Sequence, residues 1–455
     1  MSIFSTGLSG LNAAQNALQS TSNNISNVYT PGYNREVTVL GESRAGGGVQ
    51  VNDIQRQFNQ YVAGQLNAAT SKSSALEAYN QQVGQIDSLL ADRDAGLAPL
   101  MQNFFSAMED LASAPSDPAA RQGVLGAADT LTAQFRSFDG YLQDMQEGIN
   151  GQIGDEVTQI NNATEQLADI NREIALARAR SGEAPNSLLN QRDRMVHELN
   201  ERMDVRLNIQ DGKTYNISLP NGQPLVAGTQ HYRLEAMDSP SDPLRTVLGY
   251  RDSNGDLVAL DEDTVTGGTL GGLMDFRAET LDKTQRQIGQ LAVSLAEAFN
   301  EQHAKGVDLN GDSGGDLFEI DSTSLHRAGG SLKLAIDDLD KIAAAGVSGG
   351  SGNNENALAM QDLQKEKIVS GSATLSGAYG AMVSDVGNRT NIVQANLDAQ
   401  QGLTDQLRAM QQSESGVNLD EEAANLIRYQ QFYQANARVI DTGTTVLDTI
   451  LGLRN

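Results

Sequence analysis

The 455-residue chain has no cysteine, which excludes disulfides, thiolate zinc sites and cysteine nucleophiles. It has no tryptophan and only 5% aromatic residues, so its cores must be lean and built from Leu, Ile, Val and Ala. Cations are in deficit: 32 Lys and Arg against 58 Asp and Glu leave a net charge of −26 and a pI near 4.4. A polyanion of this strength repels phosphate backbones and anionic headgroups, so neither nucleic acid nor a membrane surface is an expected partner. No uncharged apolar run approaches the length of a bilayer span. The opening MSIFSTGLSGLNAAQNALQS lacks the basic and continuously apolar regions of a secretory signal. Taken alone it predicts a cytoplasmic chain, unless an export route reads an uncleaved N-terminus. The length leaves room for about two to four domains.

What is present is periodicity, and the two ends are alike in kind. Phe4, Leu11, Leu18 and Ile25 recur every seven residues, and so do Leu419, Leu426, Tyr433, Ile440 and Leu447. Phe432, Val439 and Val446 widen the second stripe. Sustained heptads predict helices that pack along their length. The seams are soft, because the expected partner positions are Ala423, Gln430, Ala437, Thr444 and Leu451, and the first segment is rich in Gly, Ser and Asn. Two readings follow: ends that order only when packed together in an assembly, or a plain terminal coiled coil in a stable monomer. The weak seam favours the first.

Inward of the ends, residues of about 50–110 and 120–204 predict long helices, with Leu76, Tyr79, Val83, Ile86 and Leu90 on one stripe and Ile149, Ile153, Val157, Ile160, Leu167, Ile170 and Ile174 on another. Breaks fall at Pro115 and Pro118 and near Pro185. From 204 to 269 the texture is short and alternating, with turns at Asp211-Gly212, Asn221-Gly222 and Asn254-Gly255, which predicts a small β domain. Helix returns over about 270–303, a Gly- and Asp-rich stretch with short strands follows over 304–352, and helix resumes from about 356 to 412. Asn418 or Asp420 is the expected cap of the last helix. The predicted fold is mainly α with a β insertion: an elongated, nested subunit with paired terminal helices. Its expected parts are a terminal core of 1–45 with 415–455, a long-helix body of 46–203, 270–303 and 353–414, a β-rich outer domain of 204–269, and the loop insertion of 304–352.

SGLNAAQNAL at 9–18 and SNNISNVYTPGYNRE at 22–36 resemble the N-terminal motif of the flagellar axial family, the rod, hook and hook-associated subunits. Gly10, Leu11, Ala13, Ala14, Leu18, Asn23, Asn24, Ile25, Asn27, Thr30, Pro31, Gly32, Tyr33 and Arg35 carry the match. NSLLNQRD at 186–193, GGLMDFRAETLD at 271–282, LAEAFNEQHAKGVDLNGDSGGDLF at 295–318 and GVNLDEEAANLIRYQQFYQANARVIDT at 416–442 narrow the resemblance to hook-associated members. The resemblance implies a structural adaptor between hook and filament, with no enzyme activity and no cofactor. It implies a homo-oligomeric ring, contacts with the hook protein and a second junction protein, a cytosolic export chaperone, and type III export to the extracellular flagellum. Flagellin also pairs its terminal helices, but its N-terminus reads differently. The chain is short for the family, which implies that one outer insertion is reduced or absent.

By the residues alone, Asn23, Asn24 and Asn27 favour caps and turns, and Thr30-Pro31-Gly32 ends a helix. That is either an ordinary stop or a fixed bend between tube layers, and the resemblance favours the bend. The expected assembly residues are Phe4, Leu11, Leu18, Asn23, Asn24, Ile25, Asn27, Pro31, Gly32, Tyr33, Leu419, Leu426, Tyr433, Ile440 and Leu447. Leu426, Tyr433, Ile440 and Leu447 are also the anchors that a chaperone groove would take.

One segment imitates a metal site. Asp308, Asn310, Asp312, Asp316 and Glu319 fall near the spacing of an EF-hand loop, but Ser313 stands where the sharp turn requires glycine. This weak calcium candidate would suit a secreted adhesin. His197, His231, His303 and His326 form no close pair, so no zinc motif is present. Gly267, Gly268, Gly271 and Gly272 suit a chain connection better than a phosphate cradle.

Overall fold

The computed structural model describes residues 3–43, 47–92, 96–210, 214–252 and 254–453. Its elements in order are α1 (Ile3–Ser26), β1 (Glu36–Glu42), β2 (Val49–Arg56), α2 (Gln60–Leu90), α3 (Leu97–Ser113), α4 (Pro118–Ser181) and α5 (Asn186–Arg202). Strands β3 (Arg206–Gln210), β4 (Thr214–Ser218), β5 (Pro224–Ala227), β6 (Gln230–His231), β7 (Leu234–Asp238), β8 (Thr246–Arg251) and β9 (Leu257–Ala259) follow. Then come α6 (Gly268–Phe276), α7 (Asp282–His303), β10 (Phe318–Glu319), α8 (Ala328–Ser331), β11 (Lys333–Leu334), α9 (Glu355–Asp362), α10 (Leu375–Ser415) and α11 (Leu419–Gly452). The chain divides into two compact units, residues 1–73 with 160–233 and 400–455, and residues 74–159 with 234–399.

In the first unit α1 lies along α11 and also touches the antiparallel β1–β2 hairpin. The hairpin corrects the sequence reading, which began a long helix at about 50. Val49, Val51 and Asp53 pair with Glu42, Leu40 and Val39 instead, because a pairing partner lies only a short loop away. The four-stranded sheet β3-β4-β5-β6 buries Tyr215, Ile217, Leu225 and Val226. Asn171 of α4 ties that sheet down by donating to the carbonyls of Tyr215 and Gly228, at 2.9 and 2.8 Å.

In the second unit the few aromatic side chains are concentrated. Phe104, Phe105, Phe299 and Phe318 form one cluster with ring centroids 5.0–6.0 Å apart. The three-stranded sheet β7-β8-β9 is anchored by Asn150 of α4, which donates to Leu244 O and accepts from Thr246 N. Arg277, wholly buried at the start of a short π-helical turn, donates to Thr246 O at 2.7 Å. The single β domain expected over 204–269 is therefore two sheets in two units. Asn171 and Asn150 anchor them at separate places on α4, and the chain divides between Arg233 and Leu234.

The breaks at Pro115, Pro118 and Pro185 stand, as do the turns at Asn221-Gly222 and Asn254-Gly255, where the glycines have φ of +92° and +88°. The Asp211-Gly212 turn lies outside the described residues. The helix expected over 356–412 is interrupted between α9 and α10. There Ser370 (φ +51°) and Gly371 (φ +66°) form a tight turn closed by Val369 and Ala373. Among the described residues no helix is long and apolar enough to cross a membrane.

Candidate functional site: the clamp between the chain ends

The seam between α1 and α11 differs from both predicted stripes. On α1 the buried residues are Gly7, Gly10, Ala13, Ala14, Ala17, Ser20, Thr21 and Asn24, all small or polar. Phe4, Leu11, Leu18 and Ile25 flank that line, half-buried. Small side chains win the centre because they let α11 approach: a Cβ on Gly10 would stand 2.1 Å from Asn436, and one on Gly7 would stand 2.7 Å from Ile440. Gly443 answers from α11, facing Ile3 and Phe4. Glu422 and Gly443 are the buried positions of α11, and Asn436 and Ile440 lie half-buried between them. The second line of the seam is thus Glu422, Tyr429, Asn436 and Gly443, three residues after each leucine-type position. The expected set at Ala423, Gln430, Ala437 and Thr444 assumed the other heptad phase, and those residues are exposed. Of the expected anchors, Leu419, Tyr433 and Leu447 are also exposed, while Leu426 and Ile440 are half-buried.

Three distant motif segments meet at one end of this pair. Asn24 is fully satisfied there. Its amide donates to Glu36 O (2.9 Å) and to Glu422 Oε2 (3.1 Å), and its carbonyl oxygen accepts from Tyr33 Oη (2.8 Å) and Glu36 N (2.9 Å). Arg35 holds the other oxygen of Glu422 through Nε at 2.8 Å and reaches Glu421 through Nη1 at 2.9 Å. Glu422 is only 1% exposed, so this ion pair is in effect buried at its anionic end. Burial and the nearby carboxylates of Glu36 and Glu422 push the Tyr33 hydroxyl well above its usual range, so it stays a donor. Burial also raises the Glu36 carboxyl.

The 186–193 motif closes the other side. Asn186 donates to Ile54 O at 2.8 Å, and the Asn190 side-chain oxygen accepts from Asn34 at 2.8 Å and Arg56 at 3.2 Å. Asp193 pairs with Arg56, and the Arg192 guanidinium stacks 3.4 Å from the Tyr215 ring centre. At the C-terminal segment, Arg35 N donates to Ser415 O, and Asn418 caps α11 by accepting from Asp420 N and Glu421 N. The motif turn itself contains no helix-breaking work for Pro31, since α1 already ends at Ser26. Asn27 caps α1 by donating to Asn23 O, Thr30 donates to Asn27, and Gly32 supplies the left-handed residue at φ +73°. Asn23 and Pro31 are exposed.

Among the described residues no group of three or more acidic or histidine side chains is placed to hold a metal. In the calcium candidate, Asp308 instead accepts from Asn310 N and Asp312 N as a turn, and Glu319 sits on β10, paired with Lys333 at 3.0 Å. The chain turns at Gly311 (φ +88°), and the Asp308 carboxylate faces its own backbone. His303 is buried but serves structure: Nδ1 donates to Gly315 O at 2.7 Å, and Nε2 accepts from Ala343 N at 2.9 Å.

The model of the flagellar hook-associated protein FlgK helical domain matches residues 83–318. The model of the flagella basal body rod protein matches 4–34, and that of the flagellar basal body rod FlgEFG protein C-terminal region matches 411–453. Flagellar hook-associated protein 1 of Salmonella typhimurium is 35% identical over the full length of both chains, and that of Escherichia coli K12 is likewise 35% identical over both full lengths. The chain belongs to the flagellar hook-associated protein 1 family. It is a structural protein of the flagellar hook–filament junction. The Bacillus subtilis family member is 25% identical over 98% of this chain and 97% of its own. The fold is also that of the flagellar hook junction protein FlgK from Burkholderia pseudomallei, with a TM-score of 0.72 at 24% identity, covering 77% of this chain and 100% of that one. The Salmonella alignment runs over 551 positions against 455 residues, so that relative carries stretches this chain lacks. The rod-type motifs at both ends are the segments that the clamp joins. Glu422, Asn190, Asp193 and Arg56, which complete the clamp, lie on no apolar stripe, so periodicity did not single them out.

Proposed function

We propose that the chain assembles with its own copies into a ring at the hook–filament junction, using the terminal helix pair as its assembly element. The carrying observation is an apolar face left open on a closed helix pair. Gly443 and Ile440 meet α1, but Phe432, Val439 and Val446 lie on an adjoining face of α11 and are 39–49% exposed. Burying such side chains contributes about 1.5–3 kcal/mol each. Charge supports the same reading. The unit holding both ends carries 17 Lys and Arg against 19 Asp and Glu, whereas the other carries 15 against 39. The helix α1 contains no charged residue at all. Near-neutral elements can be packed many to a ring without self-repulsion.

The ring meets hook protein on one face and a second junction protein on the other. Before assembly a cytosolic chaperone covers α11, with Leu426, Tyr433, Ile440 and Leu447 among its contacts, and the flagellar type III apparatus exports the chain without a cleaved signal peptide. The protein acts by assembly and not by catalysis. The test is the triple change of Phe432, Val439 and Val446 to Ala, which spares the side chains facing α1. The expected result is a folded, exported subunit and lost motility. Wild-type motility would refute the copy-to-copy face. Antibody to residues 214–252, viewed by electron microscopy, should mark a narrow band between hook and filament.

A further inference from the structure

The unit that holds both chain ends contains a cavity of about 690 Å³ at the root of α11. Its walls are the motif turn at 28–34, the first turns of α2, one face of α5, β3 and the end of α10. Leu66, packed with Ala69 and Leu407, joins Val196, Val205 and Leu207 to make the lining largely apolar. Tyr29 stands at the edge, 89% exposed. The charges that reach the cavity are already matched. Asp193 pairs with Arg56, Arg194 with Glu198 and Arg408 with Asp405, and Asp204 lies in the field of Arg206 and Lys72. Burial holds the His197 pKa below its ordinary 6.5. A charged occupant would be desolvated here without a partner, so the cavity suits an apolar one.

The far end of α11 has that character. The helix meets Ile3 and Phe4 of α1 at Gly443, and beyond that point every residue from Thr444 to Leu453 is exposed. Leu447, Ile450, Leu451 and Leu453 are 46–83% exposed and fall within about two turns, a density that can fill a concave site. Asp448 is the only charged residue from Thr444 to Leu453. This end does not reach its own cavity. Ser415, Gly416 and Val417 line the cavity and lead into α11, and Leu447 lies about 40 Å of helix beyond Leu419. We infer that the free end of α11, Leu447–Leu453, seats in the root cavity of a neighbouring copy. Each subunit then presents both halves of one heterologous contact, which repeats from copy to copy around a ring. This rests on the reading that the chain assembles with its own copies. It adds a second surface to the Phe432, Val439 and Val446 face, none of whose residues belongs to the free end.

Cross-linking in assembled flagella tests the contact. The chain has no cysteine, so introduced thiols are the only ones in the subunit. Gly64→Cys marks the cavity wall, at a position where an added Cβ has nothing within 4 Å, and Ile450→Cys marks the free end. Flagella carrying the double variant are treated with a short bismaleimide, and the chain is detected by antibody on a denaturing gel. The expected result is a ladder of dimers, trimers and higher multimers, because each copy offers one thiol of each kind to a different neighbour. Monomer alone from motile cells would overturn the inference. So would dimers alone, formed equally well by Ile450→Cys without Gly64→Cys, since those mean end-to-end contact. A second variant, Ala68→Glu, puts a carboxylate on an exposed part of the cavity wall. It should be exported but lost to the medium instead of being retained on hooks, and retention at the wild-type level would also overturn the inference. If the ladder is absent while the triple variant of Phe432, Val439 and Val446 loses motility, this contact falls and the ring reading stands.

Discussion

His303 should make the second unit acid-sensitive above the pH range of ordinary carboxylates. Its ring is wholly buried at the C-terminal end of α7, and both nitrogens are committed. Nδ1 must carry the proton to donate to Gly315 O, and Nε2 must be bare to accept from Ala343 N. Protonation would turn the second bond into two facing donors. Burial therefore holds the His303 pKa below its ordinary value of 6.5, although the Gly315 carbonyl and the carboxylates of Asp308 and Asp316 favour the cation. With the folded pKa depressed, the unfolded chain binds the proton first as pH falls. The contribution to stability is whole above about pH 6.5, declines as pH drops below it, and levels off below the folded pKa. Within that window the slope is about 1.4 kcal/mol per pH unit. The assay is urea denaturation followed by far-ultraviolet circular dichroism, since there is no tryptophan to report. It compares wild type with His303→Gln from pH 7.5 to 5.5, so that other titrating groups cancel in the difference. At pH 7.5 the substitution should cost about 2–4 kcal/mol by leaving Ala343 N–H or Gly315 O unpaired. That cost should shrink toward pH 5.5. A gap between the two proteins that does not change with pH would refute the reasoning.

Two glycine substitutions should have opposite signs despite equal helix propensity. Gly126→Ala, in open space on α4, should stabilise by about 0.4–1 kcal/mol, whereas Gly272→Ala would put a Cβ 2.1 Å from Ala75 O and should destabilise by about 1–3 kcal/mol, both read from urea midpoints. Arg121 is buried and donates to the carbonyls of Pro115, Leu339 and Ile342, so Arg121→Met should cost about 3–5 kcal/mol in the same assay and Arg121→Lys only part of it. Millimolar calcium should leave thermal unfolding unchanged against chelator, because Asp308 already accepts from its own backbone and Glu319 is paired with Lys333.

The chain alone determined the long helices, the proline breaks and the paired ends, and narrowed the cap of the last helix to Asn418 or Asp420, because hydrophobic spacing and backbone stereochemistry act locally. The N-terminal motif was legible too, and with it Asn24, Tyr33 and Gly32, although not what each touches. Tertiary structure decided the rest. The β1–β2 hairpin is a pairing choice between segments that periodicity cannot weigh, and the split of the β region follows from two asparagines at separate places on one helix. The heptad phase was settled by close approach. A line of Gly, Ala, Ser and Asn carries little hydrophobic signal, yet it lets two backbones meet where larger side chains would hold them apart. The clamp was illegible for a further reason. Glu422 is one of three consecutive acidic residues in a first helical turn, a pattern that usually means solvent and helix dipole. Only the fold brings Asn24 and Arg35 to it, from nearly four hundred residues away in sequence, and makes that carboxylate a buried, paired charge.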